Sequence, residues 1–287
     1  MKGVSSFGRL RKRIMRNLIL GHGSGSGLSA AEEFAILKEI GWDGVFTGWD
    51  ENNGNKNMAK AIRDLGLIYQ SVHAPFDKMD RVWDDDERGE AVIDRLIRCA
   101  RATAEVDVDI MVVHTIIGMD KCTPAEIGLR RFGRLFDAAK ECGVRIALEN
   151  TEGEEYLEAL LNEYGDAHVG FCIDTGHELC YNYGRDTITK YGKRMFSTHL
   201  NDNMGITGDH LTWKDDAHML PFDGIADWKG IAERMKAVGY QGELTFELTR
   251  FNRPERHTSD AYEQMSFTEY ASLALERARR FAELIGE

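Results

Sequence analysis

Eight short runs of apolar, often β-branched residues recur along the chain, and their spacing constrains the fold more than any other feature. They are NLIL (17–20), GVFT (44–47), LIYQSV (67–72), DIMVV (109–113), RIAL (145–148), VGFCI (169–173), RMFST (194–198) and ELTF (243–246). Most are continuously apolar rather than alternating, the pattern of parallel strands covered on both faces. Helical patterns with clear ends lie between them. Ser29 and Glu32 read as a capping box ahead of AAEEFAILKEI, which Gly41 terminates. Thr123-Pro124 with Glu126 opens AEIGLRRFGRLFDAAKEC, and Gly143 closes it. Eight alternating strand–helix units predict an α/β fold, a single (β/α)8 TIM barrel over residues 1–287. The competing arrangement is a doubly wound open sheet. It calls for a phosphate fingerprint after the first strand, and GHGSGSG (21–27) lacks the GxGxxG spacing.

No Gly/Pro/Ser linker divides the chain. The balance of 48 Asp and Glu against 36 Lys and Arg leaves a net charge of −12, which argues against broad attraction to nucleic acid or to an anionic membrane. No run approaches the roughly 18 apolar residues of a membrane span. The five cysteines (99, 122, 142, 172, 180) form an odd set without a CxxC pair, so a reduced, cytoplasmic setting is expected. Residues 1–16 carry six basic side chains and no acid. The NLIL run that follows is too short for a secretory core, and the segment reads as a basic arm or a lid over the barrel floor.

Barrel enzymes carry their chemistry at the C-terminal ends of the strands. There this chain places His73, His114, Glu149, Asp174, His199 and Glu247, one after each of the last six strand-like runs. A lone histidine or acid at a strand end is ordinarily a hydrogen-bonded structural residue. Six in register are different, because ionisable groups converging on one mouth stay expensively desolvated unless a cation sits among them. Glu, Asp and His together suit a divalent ion such as zinc or manganese. His177 stands just past Asp174, and DDAH (215–218) supplies Asp216 and His218. These three are read as additional metal ligands, as contacts to substrate oxygens or as loop-fixing residues. Glu178 and Asp202, beside the ligands in sequence, are expected to orient imidazoles.

The motifs ENT at Glu149, CIDTGH at Asp174, THLNDN at His199, DAHMLPFDGIADW at 217–228 and FEL at Glu247 resemble the xylose isomerase-like barrels. That superfamily holds sugar isomerases and epimerases as well as the AP endonucleases of the endonuclease IV type. The isomerase and epimerase resemblance implies one divalent metal on Glu149, Asp174, His199 and Glu247, with Glu149 and Glu247 also moving protons as the catalytic pair. The endonuclease resemblance implies three zinc ions on those four residues together with His73, His114, His177, Asp216 and His218. Two departures favour the sugar branch. Ala217 stands where the nuclease motif Asp-Arg-His has its arginine, and HMLPFDGIADW is similar to the His-x-x-Pro-Gly segment of sugar isomerase-like members, with Phe222 in place of the usual glycine.

The loops at 48–55 and 74–87 are acidic and aromatic rather than basic, and Trp49, Phe76 and Trp83 are expected to meet the apolar face of a sugar ring. The resulting expectation is a metal-dependent isomerase or epimerase of a sugar, sugar phosphate or polyol. It would work through a metal-stabilised enediolate with the two glutamates as acid and base. The alternatives are a trinuclear zinc phosphodiesterase acting on abasic DNA, and an accessory barrel that keeps the site but works only in a complex. Self-association into a homo-oligomer is compatible with the sequence, which sets no subunit number.

Overall fold

The computed structural model describes residues 16–23, 26–52, 54–118 and 123–286. The basic arm, apart from Arg16, lies outside the described residues. The elements alternate as β1 (Leu18–Gly21), α1 (Ala30–Ile40), β2 (Gly44–Gly48), α2 (Gly54–Asp64), β3 (Ile68–His73), α3 (Arg88–Glu105), β4 (Ile110–His114), α4 (Glu126–Glu141), β5 (Arg145–Glu149), α5 (Glu154–Tyr164) and β6 (Val169–Asp174). Two short helices, α6 (Thr175–Leu179) and α7 (Thr187–Tyr191), then lead to β7 (Met195–His199), α8 (Trp228–Val238), β8 (Leu244–Phe246) and α9 (Phe267–Ile285).

Neighbouring strands pair in parallel in the order β7-β6-β5-β4-β3-β2-β1-β8. The seam between β7 and β8 is closed largely by a side chain. Thr198 Oγ1 donates to the Thr245 carbonyl at 3.2 Å and accepts from the Thr245 amide at 2.9 Å, and a parallel bridge joins Leu200 to Phe246. The chain is thus a single (β/α)8 TIM barrel, nearly continuous around its circumference.

The helices bury one face each. On α1 that face is Phe34 and Leu37, each fully buried, contributing about 1.5–3 kcal/mol apiece on leaving water. Its capping box forms between Ser29 and Glu32, and Gly41 ends it in the left-handed region at φ 105°. The start of α4 differs from the sequence expectation. Ala125 occupies the N-cap position with no side-chain bond, so Thr123 caps nothing, and the helix begins at Glu126. Helices α6 and α7 were not anticipated, because five-residue helices are too short to show a period.

Candidate metal centre

Side chains on a strand alternate between faces. Ile110 and Val112 of β4, Ala147 of β5 and Cys172 of β6 pack together as a small buried cluster. The same two-residue step carries each strand on to His114, Glu149 and Asp174. These, with His73 and His199, are the last residues of their strands, and Glu247 follows β8 directly. Register then sets His114 opposite Glu149 and Asp174 opposite His199.

Glu149, fully buried, is the hub. Its Oε2 lies 3.3 Å from Nε2 of both His73 and His114, and its Oε1 lies 3.0 Å from His199 Nδ1 and 3.5 Å from His177 Nδ1. His199 Nδ1 is also 3.0 Å from Glu247 Oε2, so one imidazole nitrogen sits between the two glutamates. Burial opposes the charge on Glu149, but the imidazoles of His199 and His114 prevail and hold its carboxyl well below the usual carboxylate range. Glu247 is likewise held down to about 2 against its burial, by His199 and His218. Asp174 goes the other way: burial outweighs His177 and His218 and lifts it to about 6. His114 is lowered by burial despite Glu149.

Asp174 is both a helix cap and a member of the cluster. Its Oδ1 accepts from the His177 amide at 2.6 Å, capping α6, while Oδ2 accepts from Asn201 Nδ2 at 2.6 Å. Asn150 holds the backbone of the same residue through both its N–H and its carbonyl, at 2.7 and 2.9 Å. Gly176 is required by this packing, since a Cβ there would collide with Oδ1 of Asn201. Asn150 and Asn201 are thus the orienting residues that sequence reasoning missed. The two it named do other work. Glu178 pairs with Arg234 at 2.7 Å and accepts from Thr187, which anchors α7. Asp202 gathers the amides of Phe222 and Ala226 and the Trp228 indole N–H, at 2.8–3.0 Å, and so clamps the segment 222–228.

Of the remaining members, Asp216 and His218 ride on a loop and His177 sits in the short helix α6. His218 Nε2 is 2.9 Å from Asp216 Oδ2, and His177 Nε2 is 3.4 Å from Asp216 Oδ1. His218 is lifted to about 9 in spite of its burial, by Asp216 and Glu247. Its backbone is left-handed at φ 47°, as is Phe222 at φ 74°, the position where the motif usually has glycine. Phe222 is held there between the Trp228 ring, 5.4 Å away, and Arg280, whose guanidinium lies 3.9 Å over it. The cation that Ala217 fails to supply arrives from the loop after β8. Arg253 Nε donates to the Asp216 carbonyl at 2.6 Å and Nη2 to its carboxylate at 3.2 Å.

Four groups of side chains bring one ligand atom each to within 4.8 Å of one another: Glu149/Asp174/His199/Glu247, His73/His114/Glu149, His73/His199/Glu247 and Asp174/His177/His218. His199 Nε2, His177 Nδ1 and Asp216 Oδ1 are buried without a hydrogen bond of proper geometry. Buried polar atoms left in that state are costly, and four carboxylates crowded together need positive charge between them. The donor set of imidazole and carboxylate therefore fits a divalent ion of the zinc or manganese kind.

Above the cluster opens a cavity of about 960 Å³, lined in part by His22, Phe46, Phe76, Glu152, Tyr181, Trp213 and Arg253. Of the three aromatic side chains expected there, Phe76 alone lines it, 45% exposed and stacked on His114 with ring centres 4.7 Å apart. Trp83 is only 5% exposed. The loop after β3 folds into a 3₁₀ turn (Met79–Trp83) that buries the indole against Phe132 and Tyr156, with its N–H on the Thr115 carbonyl. Trp49 packs on the core and borders a separate cleft with Asn55 and Arg98. Trp213, 53% exposed at the rim, carried no signal in the sequence beyond its hydrophobicity.

With this geometry, the chain belongs to the xylose isomerase-like TIM barrel family, whose pattern matches residues 34–268. It is 26% identical over 254 residues to the uncharacterized protein y4fM of Sinorhizobium fredii, an overlap of 74% of this chain and 78% of that one. It is 25% identical over 144 residues to a probable endonuclease 4 of Carboxydothermus hydrogenoformans, covering 47% of this chain and 49% of the other. Among solved structures, a xylose isomerase-like TIM barrel/4-hydroxyphenylpyruvate dioxygenase fusion protein superimposes with a TM-score of 0.74 at 20% identity. That match covers 95% of this chain but only 44% of the fusion. The 3-keto-D-glucoside 4-epimerase YcjR of E. coli gives 0.67 at 19% identity, covering 92% and 99%. The IolI protein with a bound zinc atom gives 0.70 at 18%, covering 94% and 98%. No helix of the described residues is long and apolar enough to cross a membrane.

Proposed function

We propose that the protein is a divalent-metal-dependent isomerase or epimerase of a small sugar, sugar phosphate or polyol. The observation that carries this reading is the mouth itself. It is a cavity of small-molecule size over a carboxylate–imidazole cluster, and its described lining holds one arginine and no lysine. A surface for the phosphates of a duplex would need several cations along it.

Glu149, Asp174, His199 and Glu247 would hold the ion, zinc or manganese. When bound, it supplies Lewis acidity toward a substrate carbonyl and the hydroxyl next to it. Glu247, its side chain 28% exposed, offers a carboxylate to the cavity, and Glu149 lies beneath, linked to it through the shared His199 nitrogen. A proton taken from carbon by one glutamate and returned by the other to the opposite face inverts the centre. Return to the neighbouring carbon moves the carbonyl instead. Phe76 offers a ring face to the apolar side of a sugar, and His177, Asp216 and His218 serve its hydroxyls.

A second reading, a trinuclear zinc phosphodiesterase acting at abasic sites, is favoured by two observations. The ligand groups share Glu149 and Asp174 as bridges between three sets, and Arg253 restores a cation beside Asp216. Two assays on the metal-loaded protein separate the readings. Deuterium incorporation from heavy water into carbon-bound positions of D-allulose or a ketose phosphate, abolished by exhaustive chelation and restored by a divalent ion, supports the first. Efficient metal-dependent incision of a duplex with one abasic site, without such exchange, replaces it with the second.

A further inference from the structure

His22 stands directly after β1, lines the same cavity as Glu247, and belongs to none of the ligand groups. Its backbone amide donates to the Phe46 carbonyl at 2.8 Å, which continues the ladder one residue past the strand and aims the side chain at the mouth. Strand β1 lies beside β8, so His22 neighbours the strand that delivers Glu247.

Behind the imidazole sits an acid. His22 Nδ1 is buried and lies 3.2 Å from Oε1 of Glu33, in the first turn of α1. Glu33 is only 2% exposed, and its other oxygen accepts the Ser26 hydroxyl at 3.0 Å. Oε1, like Nδ1, makes no hydrogen bond of proper geometry among the described residues, and the two atoms face each other at 3.2 Å. A carboxylate so buried is costly unless a hydrogen is directed at it, and Nδ1–H is the group in place to do so. A hydrogen on Nδ1 turned toward Oε1 decides the tautomer, because Nε2 is then left with a lone pair. The His22 side chain is 21% exposed while Nδ1 is buried, so the exposed part of the ring is the edge turned away from Glu33. Phe34, edge-on with ring centres 5.1 Å apart, restricts the ring plane.

We infer that His22, held by Glu33, is a hydrogen-bond acceptor for a substrate hydroxyl on the β1 side of the mouth, separate from the metal-binding set. The ligand class rests on the sugar reading above; the imidazole's tautomer does not. Glu33 is a positioning residue, acting only through His22.

The experiment is imidazole nitrogen NMR on the full-length, zinc-loaded protein labelled with ¹⁵N-histidine, with His22 assigned from His22→Asn. The expected result is His22 in the Nδ1–H form, retained in Glu33→Gln, whose amide oxygen still accepts, and lost in Glu33→Leu. Titration with D-allulose should move the His22 Nε2 resonance. In His22→Asn the D-allulose dissociation constant should rise about fivefold, the loss of one hydrogen bond between neutral groups. A wild-type Nε2–H form, or an Nδ1–H form that persists in Glu33→Leu, overturns the inference whatever the substrate. Resonances of His199 or His218 that respond to D-allulose while His22 does not overturn it too, yet leave the sugar reading standing. If no histidine responds to D-allulose, D-fructose or xylitol, the sugar reading falls and takes the ligand class with it.

Discussion

The two halves of the candidate site are built differently. Glu149, Asp174 and His199 end strands, and Glu247 follows one, so sheet register fixes their spacing to that of the backbone ladder. Asp216 and His218 ride on a long segment between β7 and α8 that has no regular element beyond one 3₁₀ turn. That segment holds its shape through the Asp202 clamp, the Arg253 contacts and two left-handed non-glycine residues. Strained backbone of this kind persists only where neighbours over-determine it. A strand-borne set is suited to holding an ion in fixed geometry. A loop-borne set is suited to fitting one particular ligand, and it is the half that varies without disturbing the barrel.

The largest expected effect falls on the strand half. Glu149→Gln and Glu247→Gln keep an oxygen ligand but cannot take up a proton as a carboxylate, so exchange of substrate carbon-bound hydrogen with heavy water should drop by about 10²-fold or more. His177→Asn and Asp216→Asn should cost about tenfold, the scale of a lost substrate hydrogen bond to a charged group. Equal losses in both halves would break the comparison. Next comes the brace. Gly176→Ala displaces Asn201 from Asp174 and should weaken zinc binding by about 10–100-fold in a chelator competition, with the fold intact by circular dichroism.

Smaller effects probe the loops. Trp83→Phe forfeits the indole bond to Thr115 and should cost about 1 kcal/mol in urea unfolding without changing sugar affinity. Phe76→Leu should do the reverse, leaving stability nearly unchanged and weakening the sugar. The smallest is a pH effect on the loop after β6, which Glu154 pins through Lys190 at 2.8 Å, Arg185 at 2.9 Å and the Tyr191 hydroxyl at 2.9 Å. Burial raises the Glu154 carboxyl, but these partners outweigh it and leave it below its ordinary value. The stability it contributes is therefore present above the unfolded value of about 4.3 and lost as pH falls through the lower folded one. The midpoint gap between wild type and Glu154→Gln should be open at pH 7 and close in acid. A gap that widens in acid would reverse the assignment.

The strand half was legible because period and burial leave a mark in sequence. Each strand-like run matched its strand to within a residue, and the side chains that followed the runs proved to be their ends, except for Glu247, which stands one residue past β8. The loop half was legible only as residue types. Nothing periodic distinguishes Trp83, folded inward by a 3₁₀ turn, from Phe76, left outside by the same loop. Arg253 is 37 positions from Asp216, so their contact depends on how the β8 loop returns across the mouth. Asn150 and Asn201 lie one and two residues past Glu149 and His199 and look like ordinary turn residues until their bonds to Asp174 are seen. Glu178 and Asp202 were misjudged for the complementary reason, since adjacency in sequence says little about direction at a strand end.

The central claim is that the strand half holds the ion and the loop half meets the substrate. Anomalous diffraction at the zinc edge, from crystals grown with one equivalent of zinc per chain, tests it most directly. The account predicts one dominant peak among Glu149, Asp174, His199 and Glu247. A peak of comparable height among Asp174, His177, Asp216 and His218, or a further one beside His73 and His114, would contradict it.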